Sequence, residues 1–132
     1  MQRLALSVGA VFGALAIAFG AFGAHALRAS LEGDPDGPLR MGWWETASHY
    51  HLVHALALVA LAALVKGREA SLAERICAYA WISGTAVFAG TLYAMTLGGP
   101  RFLGAITPIG GTLLIVGWGA LAVTAIRRSS AA

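Results

Sequence analysis

The sequence predicts an all-α integral membrane protein, and composition and charge pattern are the observations that indicate it. Apolar residues make up 58% of the chain and charged residues only 11%, whereas a soluble domain carries about 25% charged residues. The charged residues are also grouped, so that they separate long uncharged segments, as in multi-pass membrane proteins. Each of these segments is long enough to cross the hydrocarbon core as a helix. We therefore expect one domain, residues 1–132, folded as a four-helix bundle in the bilayer.

The first uncharged segment, bracketed by Arg3 and Arg28, could be a secretory signal peptide or a retained transmembrane helix. The tripeptide Ala24-His25-Ala26 resembles a signal cleavage site, but the segment exceeds the roughly 7–15 apolar residues of a signal peptide. We therefore expect a retained helix. The four expected helices are residues 4–27, 46–65, 76–97 and 108–126, with a polar loop at 28–45.

Local signals support these boundaries. Ser71 with Glu74 fits a capping box before the third helix. Thr107 followed by Pro108 is typical of a helix start. Residues 102–106 would then form a short interfacial or re-entrant segment. The Lys and Arg residues favour both termini in the cytoplasm, because six lie on the side of the termini and three on the other.

Small residues at helical spacing predict where helices approach closely. Gly9 and Gly13 form a GxxxG pair, Gly20 begins a second small-xxx-small pair, and Gly110 with Gly111 lies in the fourth helix. Such spacing lets another backbone come near. We interpret these glycines as packing positions within the fold, and the alternative is that the same surface forms a homo-oligomer.

Three of the four histidines lie in the second helix, where an imidazole is a functional candidate because ionisable groups are costly in a membrane. His51 and Tyr50 each share a helical face with His54, being three and four residues from it. His49 pairs instead with Glu45, four residues earlier. A rise of 1.5 Å per residue places His54 roughly 2 Å from the midplane. His25 falls roughly 14 Å out, level with His49.

Three interpretations of these histidines follow. His51 and His54 could bind a metal or haem, but further ligands are missing, so we expect no metal and no cofactor. They could instead relay protons or bind a quinone headgroup beside Tyr50 and Tyr93. The favoured interpretation is structural, with neutral histidines hydrogen-bonded to a threonine, to Tyr93 or to a carbonyl. Composition argues against a nucleic-acid partner, because no basic cluster is interleaved with aromatic residues.

Several short motifs together resemble the transmembrane protein 256-like family, also called domain of unknown function 423. The resemblance covers nearly the whole chain and implies a small bacterial four-helix membrane protein, in the cytoplasmic (inner) membrane, with no assigned activity. The motifs are Gly20-Ala-Phe-Gly-Ala-His25, Tyr50-His-Leu-Val-His-Ala-Leu-Ala-Leu58, Phe88-Ala-Gly-Thr-Leu-Tyr93, Ile106-Thr-Pro-Ile-Gly-Gly111 and Gly117-Trp118.

The first four of these motifs fall at the predicted outer ends of their helices, which predicts a shared polar pocket or network. We expect no catalytic residue, and a non-enzymatic membrane component or an accessory subunit of a larger membrane complex, in contact with the lipid bilayer. The alternative is a redox, proton-relay or ligand-binding protein that uses the cluster. The expected cluster comprises His25, Tyr50, His51, His54, Tyr93 and Thr107, with His49 nearby.

Overall fold

The computed structural model describes the backbone of residues 1–129 and the side chains up to residue 127, and its regular structure there is entirely helical. Four helices are long and apolar enough to cross a membrane. The Arg128 side chain, which the predicted charge bias includes, and residues 130–132 of the predicted domain lie outside the described part. The helices are α1 (Gln2–Ser30), α2 (Gly37–Leu64), α3 (Leu72–Thr96) and α4 (Thr107–Ser129), with a 3₁₀ turn at Arg101–Ala105.

Helix α1 extends past its predicted end at residue 27 and contains one wide π-helical turn, Gly23–Leu27. The Trp44 indole occupies the space that a Cβ at Gly23 would need, and its Nε1 donates to the Phe19 carbonyl at 2.8 Å. Helices kink at π-bulges and where a side chain inserts into the hydrogen-bond ladder. The wide turn therefore accompanies the docking of α2 against α1.

Helix α2 begins at Gly37, nine residues before the predicted start at Thr46, so the loop expected at 28–45 is corrected to residues 31–36. Pro38 lies in the first turn, where its fixed φ suits a helix. Arg40 and Glu45, which lie in the first turns of α2, are each paired with a residue of opposite charge. Arg40 bonds Asp34 at 2.5 Å, and Glu45 accepts from Arg28 at 3.1 Å.

The starts of α3 and α4 follow the capping signals. Ser71 and Glu74 form the predicted capping box, which starts α3 at Leu72, four residues earlier than expected. The buried Glu74 carboxylate also accepts from two nitrogens of Arg68, at 2.7 and 3.0 Å. Helix α4 begins at Thr107, whose hydroxyl donates to the Leu103 carbonyl at 3.1 Å.

The helices pack extensively only on their sequence neighbours within the described residues: α1 on α2, α2 on α3, and α3 on α4. Helices α1 and α4 therefore each have one extensive partner, and the arrangement is more open than the predicted bundle. Gly9 brings α1 within contact of the Ala55 carbonyl in α2. Gly110 lies against the Phe88 backbone in α3, so small residues set both contacts.

We call the end of the helices that carries residue 1 the N-terminal end, and the opposite end the far end. The far end holds the α1–α2 loop, the start of α2, the end of α3 and the 3₁₀ turn. Most of the predicted cluster lies between this end and the middle of the helices.

Candidate functional site

His54 is the most deeply enclosed of the histidines, with 3% of its surface exposed. Its Nδ1 lies 2.8 Å from the Tyr50 carbonyl oxygen, one turn earlier in α2. Its Nε2 lies 3.1 Å from Nε1 of Trp118 in α4. An indole nitrogen only donates and a carbonyl only accepts. Nε2 must therefore be the acceptor and Nδ1 the donor, which defines a neutral imidazole with its proton on Nδ1.

Aromatic rings enclose this imidazole. Trp81 of α3 and Trp118 pack ring to ring, with centroids 4.7 Å apart, and both meet His54 edge-on. Tyr50 stacks on the other side at 6.2 Å. Gly117 makes the arrangement possible, because a Cβ there would overlap the Trp81 ring. The His54 bonds thus tie α2 to α4 across the surface of α3.

His51 belongs to a second group that joins α1, α2 and α3. Its Nδ1 lies 3.4 Å from the Tyr93 hydroxyl, at the long limit of a hydrogen bond, and Phe12 of α1 meets its ring edge-on at 5.0 Å. The Tyr93 ring packs between Phe19 at 4.9 Å and Trp44 at 4.5 Å. Edge-to-face contacts of this kind add to the burial of the rings.

The structure does not bring the remaining predicted residues into these groups. His25 is exposed and lines a groove of about 940 Å³ at the far end of α1 and α2. His49 is exposed in a separate groove of about 270 Å³. Thr107 is buried, bonds the Thr91 hydroxyl at 2.8 Å and lines a third groove of about 460 Å³.

The predicted packing glycines differ in how closely a neighbouring helix approaches them. A Cβ at Gly9 would meet α2 at 3.0 Å, and one at Gly110 would meet the α3 backbone at 2.5 Å. The corresponding distances are ordinary or nearly so at Gly13, Gly20 and Gly111. Each of the five faces a neighbouring helix of the same chain.

Sequence reasoning did not assign Trp44, Trp81 and Trp118 to the site. An indole N–H in a low-dielectric interior needs a hydrogen-bond acceptor. That rule could have placed the tryptophans near the polar groups of the apolar helices. Trp44 and Trp118 satisfy it with the Phe19 carbonyl and His54. The Trp81 nitrogen has no hydrogen-bond partner among the described residues.

The three arginines at the far end are each paired with a carboxylate. Arg40 donates to the Thr96 carbonyl at 2.6 and 2.9 Å as well as to Asp34, and so caps the C-terminus of α3. Asp34 also accepts from the Asp36 backbone N–H, and this bond, with help from Arg40, holds the pKa of its carboxyl below the usual range. Asp36 in turn accepts from Arg101. Within the described residues, no cluster of three or more His, Cys, Asp or Glu side chains is placed to hold a metal ion.

Comparison with known proteins decides the family. The model of the family described as protein of unknown function (DUF423) matches residues 19–111. The chain belongs to the DUF423 family. The matched region includes His51 and His54 but neither Phe12 nor Trp118, which contact them.

Curated relatives of this DUF423 chain cover almost its full length. The UPF0382 membrane protein YwdK of Bacillus subtilis is 33% identical and covers 96% of this chain and 98% of its own. The UPF0382 inner membrane protein YgdD of Escherichia coli K12 is 35% identical, with 96% and 92% covered. A UPF0382 membrane protein of Haemophilus influenzae is 34% identical, with 98% and 99% covered. No solved structure matches the chain.

The names of these relatives and the four apolar helices agree with each other. The protein is a multi-pass protein of the bacterial cytoplasmic (inner) membrane, and its family is of unknown function.

Proposed function

We propose that this DUF423 protein is a non-enzymatic component of the membrane that acts as an accessory subunit of a larger membrane complex, with both termini in the cytoplasm. The observation that carries the proposal is the use of both His54 ring nitrogens inside the protein, by Tyr50 and Trp118. A general base or a metal ligand needs a ring nitrogen that is open to the reactant or ion. This imidazole instead joins two helices.

The surface of α1 supports the assembly part of the proposal. Helix α1 is little buried by the rest of the chain. Small residues recur along its exposed side, and a second helix can approach such a side closely. We infer that this side packs against another polypeptide. Large side chains at these positions would keep the two helices apart. These residues are Ser7, Ala10, Ala14, Ala18 and Ala21.

Site-specific photo-crosslinking in cells tests the proposal. A crosslinker at Ala14 should yield a discrete product with a different polypeptide, and one at Ile115, 74% exposed on α4, should yield only diffuse lipid products. Ala14→Leu should abolish co-purification of that polypeptide and leave thermal unfolding of the protein unchanged. A crosslinked product of two copies of this chain would indicate a homo-oligomer instead of a larger complex. Equal labelling at Ala14 and Ile115 would contradict the proposal.

The redox, proton-relay or ligand-binding alternative uses the same histidines. It would gain support if the unaltered protein showed a titration or a ligand-dependent spectral change that His51→Leu or His54→Leu abolishes. The expected result for a structural imidazole is that Trp118→Phe changes stability alone.

A further inference from the structure

The groove of about 460 Å³ opens beside α3 because α2 and α4 do not pack extensively on each other. Its floor is apolar and comes from Phe88, Leu92 and Met95 of α3, with Trp43 of α2 as one wall. Phe88 and Met95 are seven residues apart, so the floor runs roughly 10 Å along the helix axis. The volume is within the range of ligand-binding pockets, about 300–1,000 Å³.

The polar groups inside the groove are already bonded within the protein. The Thr107 hydroxyl donates to the Leu103 carbonyl and shares a second hydrogen bond with Thr91. The groove therefore suits a hydrocarbon chain better than a polar molecule, because no open donor or acceptor of Thr107 has to be matched.

Charge enters only at the mouth of the groove, at the far end. Arg101 lines the mouth and donates to Asp36, and both side chains are largely exposed, at 71% and 51%. The guanidinium has five donors in a fixed fork, which suits a phosphate. The N-terminus of α4 lies beside it at Thr107 and Pro108, and its dipole also favours an anion. A cation and an anion thus lie next to each other above an apolar floor.

We propose that this groove binds a phospholipid with an ethanolamine headgroup. One acyl chain would lie along the α3 floor, the phosphate would bind Arg101, and the ammonium group would bind Asp36. We choose this headgroup because its phosphate and ammonium charges are complementary to those of Arg101 and Asp36. A glycerol headgroup offers Asp36 no cation, and a choline headgroup has a quaternary nitrogen without an N–H to donate.

Native mass spectrometry of the full chain in detergent, with lipids of identical acyl chains, tests the proposal. Phosphatidylethanolamine should bind about tenfold more tightly than phosphatidylglycerol or phosphatidylcholine, the difference expected from one charge-assisted hydrogen bond. Equal binding of the three lipids would overturn the proposal. So would tighter binding of a quinone that displaces phosphatidylethanolamine.

Two variants locate the site. Arg101→Gln should weaken phosphatidylethanolamine binding about tenfold by removing the cation. Gly104→Leu should weaken it by filling the groove. A Cβ at Gly104 lies 3.6 Å from the flexible Met95 side chain, an ordinary contact, so the fold tolerates the change. Thermal unfolding checks that both variants fold. Unchanged binding in either folded variant would overturn the proposal.

Matched controls lie outside the groove. Arg28→Gln removes another exposed far-end arginine that is paired with a carboxylate, and Gly119→Leu adds the same side chain at an open position on α4. Both should bind phosphatidylethanolamine like the unaltered protein. Asp36→Asn should keep phosphate binding but lose the preference for ethanolamine over glycerol. A preference that survives Asp36→Asn would overturn the assignment of the headgroup.

Discussion

At the scale of single residues, His54 shows how an ionisable group is accommodated in a membrane helix. One ring nitrogen donates within α2 and the other accepts from Trp118 of α4. Because both partners are uncharged, the neutral form of the imidazole is the one that the site binds. The cost of an unpaired polar group in hydrocarbon is thereby avoided.

A double-mutant cycle between His54 and Trp118 should give a measurable coupling. His54→Leu leaves the indole N–H without an acceptor, and Trp118→Phe leaves Nε2 without a donor. The double variant removes both groups, so it should be more stable than the sum of the two losses implies. The coupling should be about 0.6–1.7 kcal/mol, as for hydrogen bonds between membrane helices. Equilibrium unfolding in detergent measures it.

His49→Leu is the control for that cycle, because His49 is exposed and its one described contact is with the Tyr50 ring. Its effect should be additive with Trp118→Phe. Strict additivity of His54→Leu with Trp118→Phe would mean that the two nitrogens do not form a stabilising bond.

The cost of an ionisable group in an apolar helix already indicated that His54 needs an interior partner. It did not identify Trp118. The expected partners included Tyr93, which instead lies beside His51. Which side chain meets which depends on the rotation of each helix about its axis, and a nearly uniformly apolar helix gives little periodicity from which to read that rotation.

At the scale of helices, Gly110 lies at a close helix contact, whereas its neighbour Gly111 lies at an ordinary one. A Cβ at Gly110 would be 2.5 Å from the Phe88 backbone nitrogen, so α3 and α4 would have to move apart. A Cβ at Gly111 would touch the Phe88 ring at 3.7 Å, an ordinary distance. Gly110→Ala should therefore lower the free energy of unfolding by about 1–3 kcal/mol, the usual cost of overpacking. Gly111→Ala should change it little.

The comparison is sharp because the two glycines are adjacent in one helix and gain the same methyl group. Both variants replace glycine by alanine, so the change in helix propensity is the same and cancels when they are unfolded in the same detergent. Equal losses would mean that α4 is free to shift against α3 and that Gly110 does not set their separation.

Helix boundaries were predictable where local chemistry defines them. The capping box at Ser71 and the Thr107–Pro108 step lie where α3 and α4 begin. The start of α2 was missed, because the whole polar segment 28–45 was assigned to a loop. Arg40 and Glu45 find their partners in the α1–α2 loop and in α1, and such pairing cannot be read from local composition.

At the scale of the whole molecule, the two ends differ in charge. The far end holds three arginines, and each is paired with a carboxylate. At the N-terminal end, Arg68 is paired with Glu74, and further Lys and Arg residues follow in the loop and near both termini. Because orientation follows the Lys and Arg count near the ends of the helices, this end should face the cytoplasm.

Reporter fusions at matched positions test that orientation. Gly33 and Gly67 both lie in exposed loops with a positive φ, one at the far end and one at the N-terminal end. A reporter active only in the cytoplasm should work when inserted at Gly67 or fused after Ala132, and one active only outside should work at Gly33. Neutralising Lys66 and Arg75 to Gln should produce mixed orientation, since it lowers the charge bias that sets the insertion. The reverse pattern of activity at Gly33 and Gly67 would place the termini outside. The far end and its groove would then lie in the cytoplasmic half of the membrane.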